Sequence, residues 1–226
     1  ESDASFLHLS PMMAVVTNID ADHMSTYGDD FETLKKTFET FLAQLPKEGT
    51  AFLCVDDTHV AALREGVAAD VITFGFDKSA EVRATDFRQE GLQSYFTVNS
   101  PRYVNLSVCL NLPGQHNVQN ALAAIAIADK LGVDAADLCE ALASFPGVGR
   151  RFHIYGEIEA QSGKALVVDD YGHHPCAINA TLKAARQAWP ERRLVLAFQP
   201  HRYTRTRDLL LDFAEALACA DVLLLL

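Results

Sequence analysis

In Ala165-Leu166-Val167-Val168-Asp169-Asp170-Tyr171-Gly172-His173-His174-Pro175, an apolar run breaks off into two acids, an aromatic and two imidazoles. A buried parallel strand delivers polar side chains to its carboxyl edge in this way. Helix formers follow over residues 177–188, with Ile178, Leu182, Ala185 and Trp189 at helical spacing, so the cluster occupies a strand-to-helix turn. In open α/β sheets such turns hold ligands. The pattern repeats one unit later. Leu194-Val195-Leu196-Ala197-Phe198 ends in a polar stretch, residues 199–207, ahead of a helix predicted over residues 208–219. The spacing therefore predicts two polar turns on one edge of one sheet, within a βαβαβ run over residues 165–226. It also puts Arg202, Arg205 and Arg207 near a helix start, where the macrodipole disfavours cations and an anion should offset them.

Upstream, strand and helix alternate. Residues 12–17 read as a strand ending in Asn18-Ile19-Asp20-Ala21-Asp22-His23-Met24, whose carboxylates and imidazole suit either a divalent ion or a solvated loop. Asp30 is placed to cap a helix whose Phe31, Leu34, Phe38, Phe41, Leu42 and Leu45 form one apolar face. Residues 51–55 and 71–74 read as further strands, the first running into Asp56-Asp57 and a short helix, which is the signature of a mostly parallel sheet with helices on its faces. From about residue 81 to 112 extended segments follow without helix, with alternation at Val104, Leu106, Val108 and Leu110, so an antiparallel appendage is expected. It closes at Pro113-Gly114-Gln115-His116-Asn117-Val118-Gln119-Asn120, before a nearly continuous apolar helix over residues 121–131. Asn117 and Asn120 are spaced for one helix face. Their amides offer the donor and acceptor that reading a purine edge requires, although capping of the helix by Asn117 is the plainer reading of the residues alone.

A second helix is expected over residues 135–144, and then Phe145-Pro146-Gly147-Val148-Gly149-Arg150-Arg151-Phe152 punctuates the chain. The domain boundary falls here: a first domain over residues 1–149 and a second over 150–226, with 152–159 as an edge strand and Gly163 as a turn. Gly147-Val148-Gly149 follows a helix and lacks a third glycine, so it is no dinucleotide fingerprint, and fold analogy alone does not support a nicotinamide enzyme.

The 226 residues carry a net charge of -11, with cations gathered locally at 201–207, which argues against general nucleic-acid binding. Five cysteines, widely spread and in no CxxC pair, fit reduced thiols, and no apolar run reaches the roughly 18 residues that span a bilayer, so a cytoplasmic location is expected. The adjacent His173 and His174 point to opposite sides of an extended segment, which makes a zinc pair a poor reading. The chain opens without methionine and closes on Leu223-Leu224-Leu225-Leu226, a strand without its turn, so both ends read as cut.

Six ordered stretches together resemble the Mur ligases, specifically the alanine-adding type: Glu1-Ser2-Asp3-Ala4-Ser5-Phe6-Leu7, residues 17–24, residues 114–120, Gly149-Arg150-Arg151-Phe152, residues 169–175 and residues 198–206. The resemblance implies a central ATPase domain, here partial, followed by a partial Rossmann-like domain, with the phosphate-binding glycine-lysine-threonine loop upstream of Glu1. It implies that ATP phosphorylates the carboxylate of UDP-N-acetylmuramate and that the amine of L-alanine attacks the acyl phosphate. It assigns His23, with Glu1 or an acid before it, to magnesium, for which manganese can substitute. Asn117 and Asn120 are assigned to adenine, and Arg151 to the ATP phosphates. Asp170 becomes an acid that orients a neighbouring cation or ribose. Tyr171, His173, Arg202 and Arg205 surround L-alanine and the reacting carboxylate. The stretches at 169–175 and 198–206 favour alanine addition over the related recycling ligase, which joins a whole peptide to the same sugar.

Overall fold

The computed structural model describes residues 3–160 and 163–226. Contacts divide the chain into two units: residues through Arg88 with Tyr95–Cys109 and His116–Leu142, and Gln89–Ser94 with Leu110–Gln115 and Ala143–Leu226.

The first unit is built on a six-stranded sheet in the order β1 (Met13–Val16), β2 (Thr50–Cys54), β3 (Asp70–Gly75), β4 (Val82–Glu90), β5 (Gln93–Asn99), β6 (Leu106–Leu110). β1, β2 and β3 pair in parallel. Every residue of β2 is buried, which accounts for its unbroken apolar run. α1 (Phe31–Leu42) starts where Asp30 accepts hydrogen bonds from the Glu32 and Thr33 backbone N–H groups. Its Leu34 and Leu42 enter the core beside Ala14, Val16, Leu53 and Val60, with Phe31, Phe38 and Phe41 packed against them. Asp57 caps α2 (Thr58–Ala62) in the same manner. The extended region expected after residue 81 is β4, β5 and β6, and the two residues joining β4 to β5 allow only an antiparallel hairpin. Val108 and Leu110 point inward as the alternation predicts, whereas Val104 lies outside β6 and is 73% exposed. α3 (Gln115–Leu131) and α4 (Ala135–Ser144) follow.

In the second unit β7 (His153–Ala160) and β8 (Gly163–Asp169) pair antiparallel from His153 with Asp169 to Ala160 with Gly163. α5 (Pro175–Ala188) leads to β9 (Val195–Phe198), then α6 (Tyr203–Asp208), α7 (Leu210–Leu217) and β10 (Val222–Leu225), which pairs in parallel with β9. The α/β order is the expected one, but two details differ. Among the described residues β8 bonds to β7 and β9 to β10, in separate two-stranded ladders rather than one sheet. A hairpin partner adjacent in sequence satisfies the β8 backbone without a crossover. The helix expected from residue 208 begins instead at Tyr203 and breaks at Leu209. Ile178, Leu182, Phe198, Phe213, Ala216 and Leu217 form one core here, and Phe152, Ala184 and Ala185 a second.

Asp221 ties this unit together. Its carboxylate accepts from Arg186 Nη1 at 2.9 Å and from the Leu194 N–H at 2.7 Å, and Arg186 also donates to the carbonyls of Arg192 and Cys219. The hydrogen bond from Arg186, then that from Leu194, holds the Asp221 carboxyl below its ordinary range. A depressed carboxyl pKa stabilises the fold above the unfolded-state value and loses that contribution as pH falls through the folded-state value. Asp221→Asn should therefore lower the thermal midpoint at neutral pH. The gap to the parent should close as pH falls through the titration, as melts followed by circular dichroism would show.

Candidate active site

α3 carries the first group of candidate residues. Val118, Leu122, Ile125 and Ala126 are wholly buried along it, so apolar packing anchors this side of the helix. Because the helix begins at Gln115, Asn117 lies inside its first turn and is not the residue that caps it. Asn117 is half-buried and Asn120 exposed, three residues apart on one face. Two amides, each with a donor and an acceptor, thus stand on one face of a packed helix.

At the carboxyl end of β1, His23 sits at φ +56 before a short 3-10 turn, with its Nε2 3.4 Å from Asp22 Oδ2. Octahedral magnesium at about 2.0–2.1 Å separates neighbouring ligands by about 3 Å, so this imidazole and carboxylate fit two adjacent positions around one ion. Asp20 turns instead to the Ala21 N–H. Glu1, the other metal candidate, lies outside the described residues.

The turn after β8 is organised by Asp170. One carboxylate oxygen accepts from the Phe152 N–H at 2.8 Å and the other from the Gly172 N–H at 2.7 Å. A side chain at position 172 would bring its Cβ within 2.9 Å of Asp170 Oδ1, so glycine is what lets the acid fold back. Arg150 and Phe152 are held at φ +60 and +47, and Tyr171 donates its N–H to the Arg150 carbonyl at 2.7 Å. Phe152 is anchored by stacking on Trp189, ring centroids 5.9 Å apart. The guanidiniums of Arg150 and Arg151 lie 4.9 and 5.6 Å from the centre of the Tyr171 ring. Such cation–π contacts hold positive charge in place without neutralising it. Arg150 also approaches Asp169 at 3.7 Å. His173 Nδ1 lies 3.1 Å from the Tyr171 carbonyl, which can only accept, so the ring proton sits on Nδ1. His174 caps α5 through its own Nδ1, which accepts from the Cys176 N–H. The neighbouring imidazoles thus make separate hydrogen bonds through Nδ1.

After β9, Arg202 is exposed at φ +70 and precedes α6, while Arg205 and Arg207 fall in the last turn of that helix. There the dipole favours cations, so of the three arginines only Arg202 stands at the unfavourable end of the helix. Arg205 is buried and donates from Nη1 to the His201 carbonyl at 3.4 Å, which braces the turn that presents Arg202. Arg207 turns to Asp208.

The structure thus groups Arg151, Asp170, Tyr171 and His173 around the two turns that flank the β7–β8 ladder. It keeps Asn117 with Asn120 on α3 and His23 after β1. The role of Arg150 on the Tyr171 ring was not apparent from spacing, because the two residues lie 21 positions apart in the chain.

The features at hand are paired amides on α3, an imidazole beside a carboxylate after β1, and arginines gathered at two turns of an α/β frame. The Mur ligase middle domain matches residues 1–128 and the Mur ligase glutamate ligase domain matches residues 150–226. The chain belongs to the Mur ligase family, whose members are ATP-dependent amide-forming ligases that use magnesium. It is 31% identical to the UDP-N-acetylmuramate-alanine ligase MurC of Thermotoga maritima, with 99% of this chain and 47% of that one aligned at a TM-score of 0.78. It is 28% identical to the murein peptide ligase Mpl of Psychrobacter arcticus, over 97% of this chain and 44% of that one, with a TM-score of 0.66. MurF of Acinetobacter baumannii, at 24% identity, a TM-score of 0.75 and coverage of 100% of this chain and 52% of that one, shares the fold. The chain therefore spans about half the length of these structures. Among the described residues no helix is long and apolar enough to cross a membrane.

Proposed function

We propose that the whole protein joins L-alanine to the carboxylate of UDP-N-acetylmuramate at the expense of ATP. The γ-phosphoryl group passes to a carboxylate oxygen and ADP departs. The amine then attacks the acyl carbon and loses a proton, and inorganic phosphate leaves with the former carboxylate oxygen. The observation that carries the alanine-adding reading is the 31% identity to MurC over 99% of the chain.

In this reading Asn117 and Asn120 take the adenine edge. Arg151, preset on the Tyr171 ring, offsets charge as the phosphoryl group transfers, and Arg202 takes the amino-acid carboxylate. Asp170 holds the backbone of Phe152 and so positions Arg151. His23 and Asp22 would hold magnesium, which when bound screens the phosphate oxygens. The work of the protein is mostly positioning and charge stabilisation. The division at residues 149 and 150 is proposed as the border between the nucleotide and amino-acid portions.

The test is phosphate release by the full-length protein with ATP, magnesium and UDP-N-acetylmuramate. Release that requires L-alanine supports the reading. Release that requires the peptide instead would transfer the chain to the peptide-joining type, and no release with either would overturn both readings.

A further inference from the structure

Asp56, at the carboxyl end of β2, stands outside the residues assigned above, yet its carboxylate is closely coordinated. Oδ1 accepts from the N–H groups of Phe76 and Asp77, each at 2.9 Å, and Oδ2 lies 3.0 Å from the same Phe76 nitrogen. Oδ2 also accepts from Gln119 Nε2 at 2.8 Å, 63 positions along the chain. The carboxylate fits only because β3 ends in Gly75, at φ +152, where a Cβ would come within 2.6 Å of Oδ1. A fixed acid at the end of the buried strand β2 thus reaches the first turns of α3.

Gln119 lies between the two asparagines in sequence but not on their face. At about 100° per residue, Asn117 and Asn120 are about 60° apart around the helix, while Gln119 is about 100° beyond Asn120. Val118, wholly buried, anchors another line of the same turn. Apolar packing resists lifting of the helix but is non-directional, so it tolerates small rotation about the helix axis. A charge-assisted hydrogen bond from Gln119 to an immobile carboxylate is directional and opposes that rotation. We propose that Asp56 and Gln119 are positioning residues that set the roll of α3, and with it the direction in which Asn117 and Asn120 present their amides to the nucleotide. This rests on the reading of those asparagines as the adenine contacts.

The test is calorimetric titration of the full-length protein with magnesium ATP, together with thermal midpoints and the apparent KM for L-alanine. Gln119→Glu sets a carboxylate against Asp56 and should weaken ATP about tenfold, the scale of one lost charge-assisted hydrogen bond. The KM for L-alanine should stay near the parent value. Adding Asp56→Asn to Gln119→Glu restores a donor opposite an acceptor while keeping an oxygen for the Phe76 and Asp77 N–H groups, and should return ATP affinity to within about threefold of the parent. Parental ATP affinity in Gln119→Glu, with only a lower melting point, would assign the pair to stability alone and overturn the proposal. So would a double variant that is weaker than the single one. Asn117→Ala serves as the separate arm. If it leaves ATP affinity unchanged, the adenine reading itself fails and this inference with it. If it weakens ATP while Gln119→Glu does not, the positioning role alone fails.

Discussion

Arg151→Ala in the full-length protein should lower kcat by about two to three orders of magnitude, the usual cost of removing one preorganised donor from a developing charge. ATP affinity should change by only a few-fold. The reason lies in how the residue is held. Its own N–H donates to the Val148 carbonyl at 3.0 Å, and the next residue is fixed by Asp170 and by the stack on Trp189. Its guanidinium rests on the Tyr171 ring. A cation fixed at its base and preset at its tip on an aromatic ring meets charge as it develops, which contributes to the transition state more than to ground-state binding. Arg151→Lys should recover little, because a point charge lacks the planar fork and stacks less well on tyrosine. Single-turnover phosphate release alongside ATP titration separates the two effects. Loss of ATP affinity in proportion to kcat would show that Arg151 binds ground-state nucleotide instead.

Arg202→Ala should act on the other substrate, raising the apparent KM for L-alanine by about 30-fold or more, the scale of removing one partner from a carboxylate ion pair. ATP affinity should be unchanged. Of the three arginines after β9, Arg202 alone sits ahead of α6, exposed and at φ +70, whereas Arg205 is buried against the His201 carbonyl. Arg205→Ala should consequently lower thermal stability as well as activity, since it empties a buried position. Equal loss of ATP and alanine affinity in Arg202→Ala would contradict its assignment to the amino-acid carboxylate.

Much of this protein was legible from local pattern. The apolar run of β2, the Asp30 cap, the 3.6-residue stripe of α1 and the bounds of α4 depend on contacts within a few residues, where spacing and chemistry act directly. The ordered motifs were equally legible, because a family resemblance resides in the residues themselves. Tertiary structure alone decided the rest. The start of α3 at Gln115 took Asn117 from cap to interior, and the start of α6 at Tyr203 carried Arg205 and Arg207 from the unfavourable to the favourable end of a helix dipole. β8 took the hairpin partner β7 in place of a place beside β9, a choice between two sets of backbone bonds that an apolar pattern does not distinguish. Asp56 on Gln119, Asp170 on Phe152 and two arginines on Tyr171 join residues far apart in the chain. No periodicity encodes such pairs, because their geometry exists only once the packed core has brought separate strand ends together.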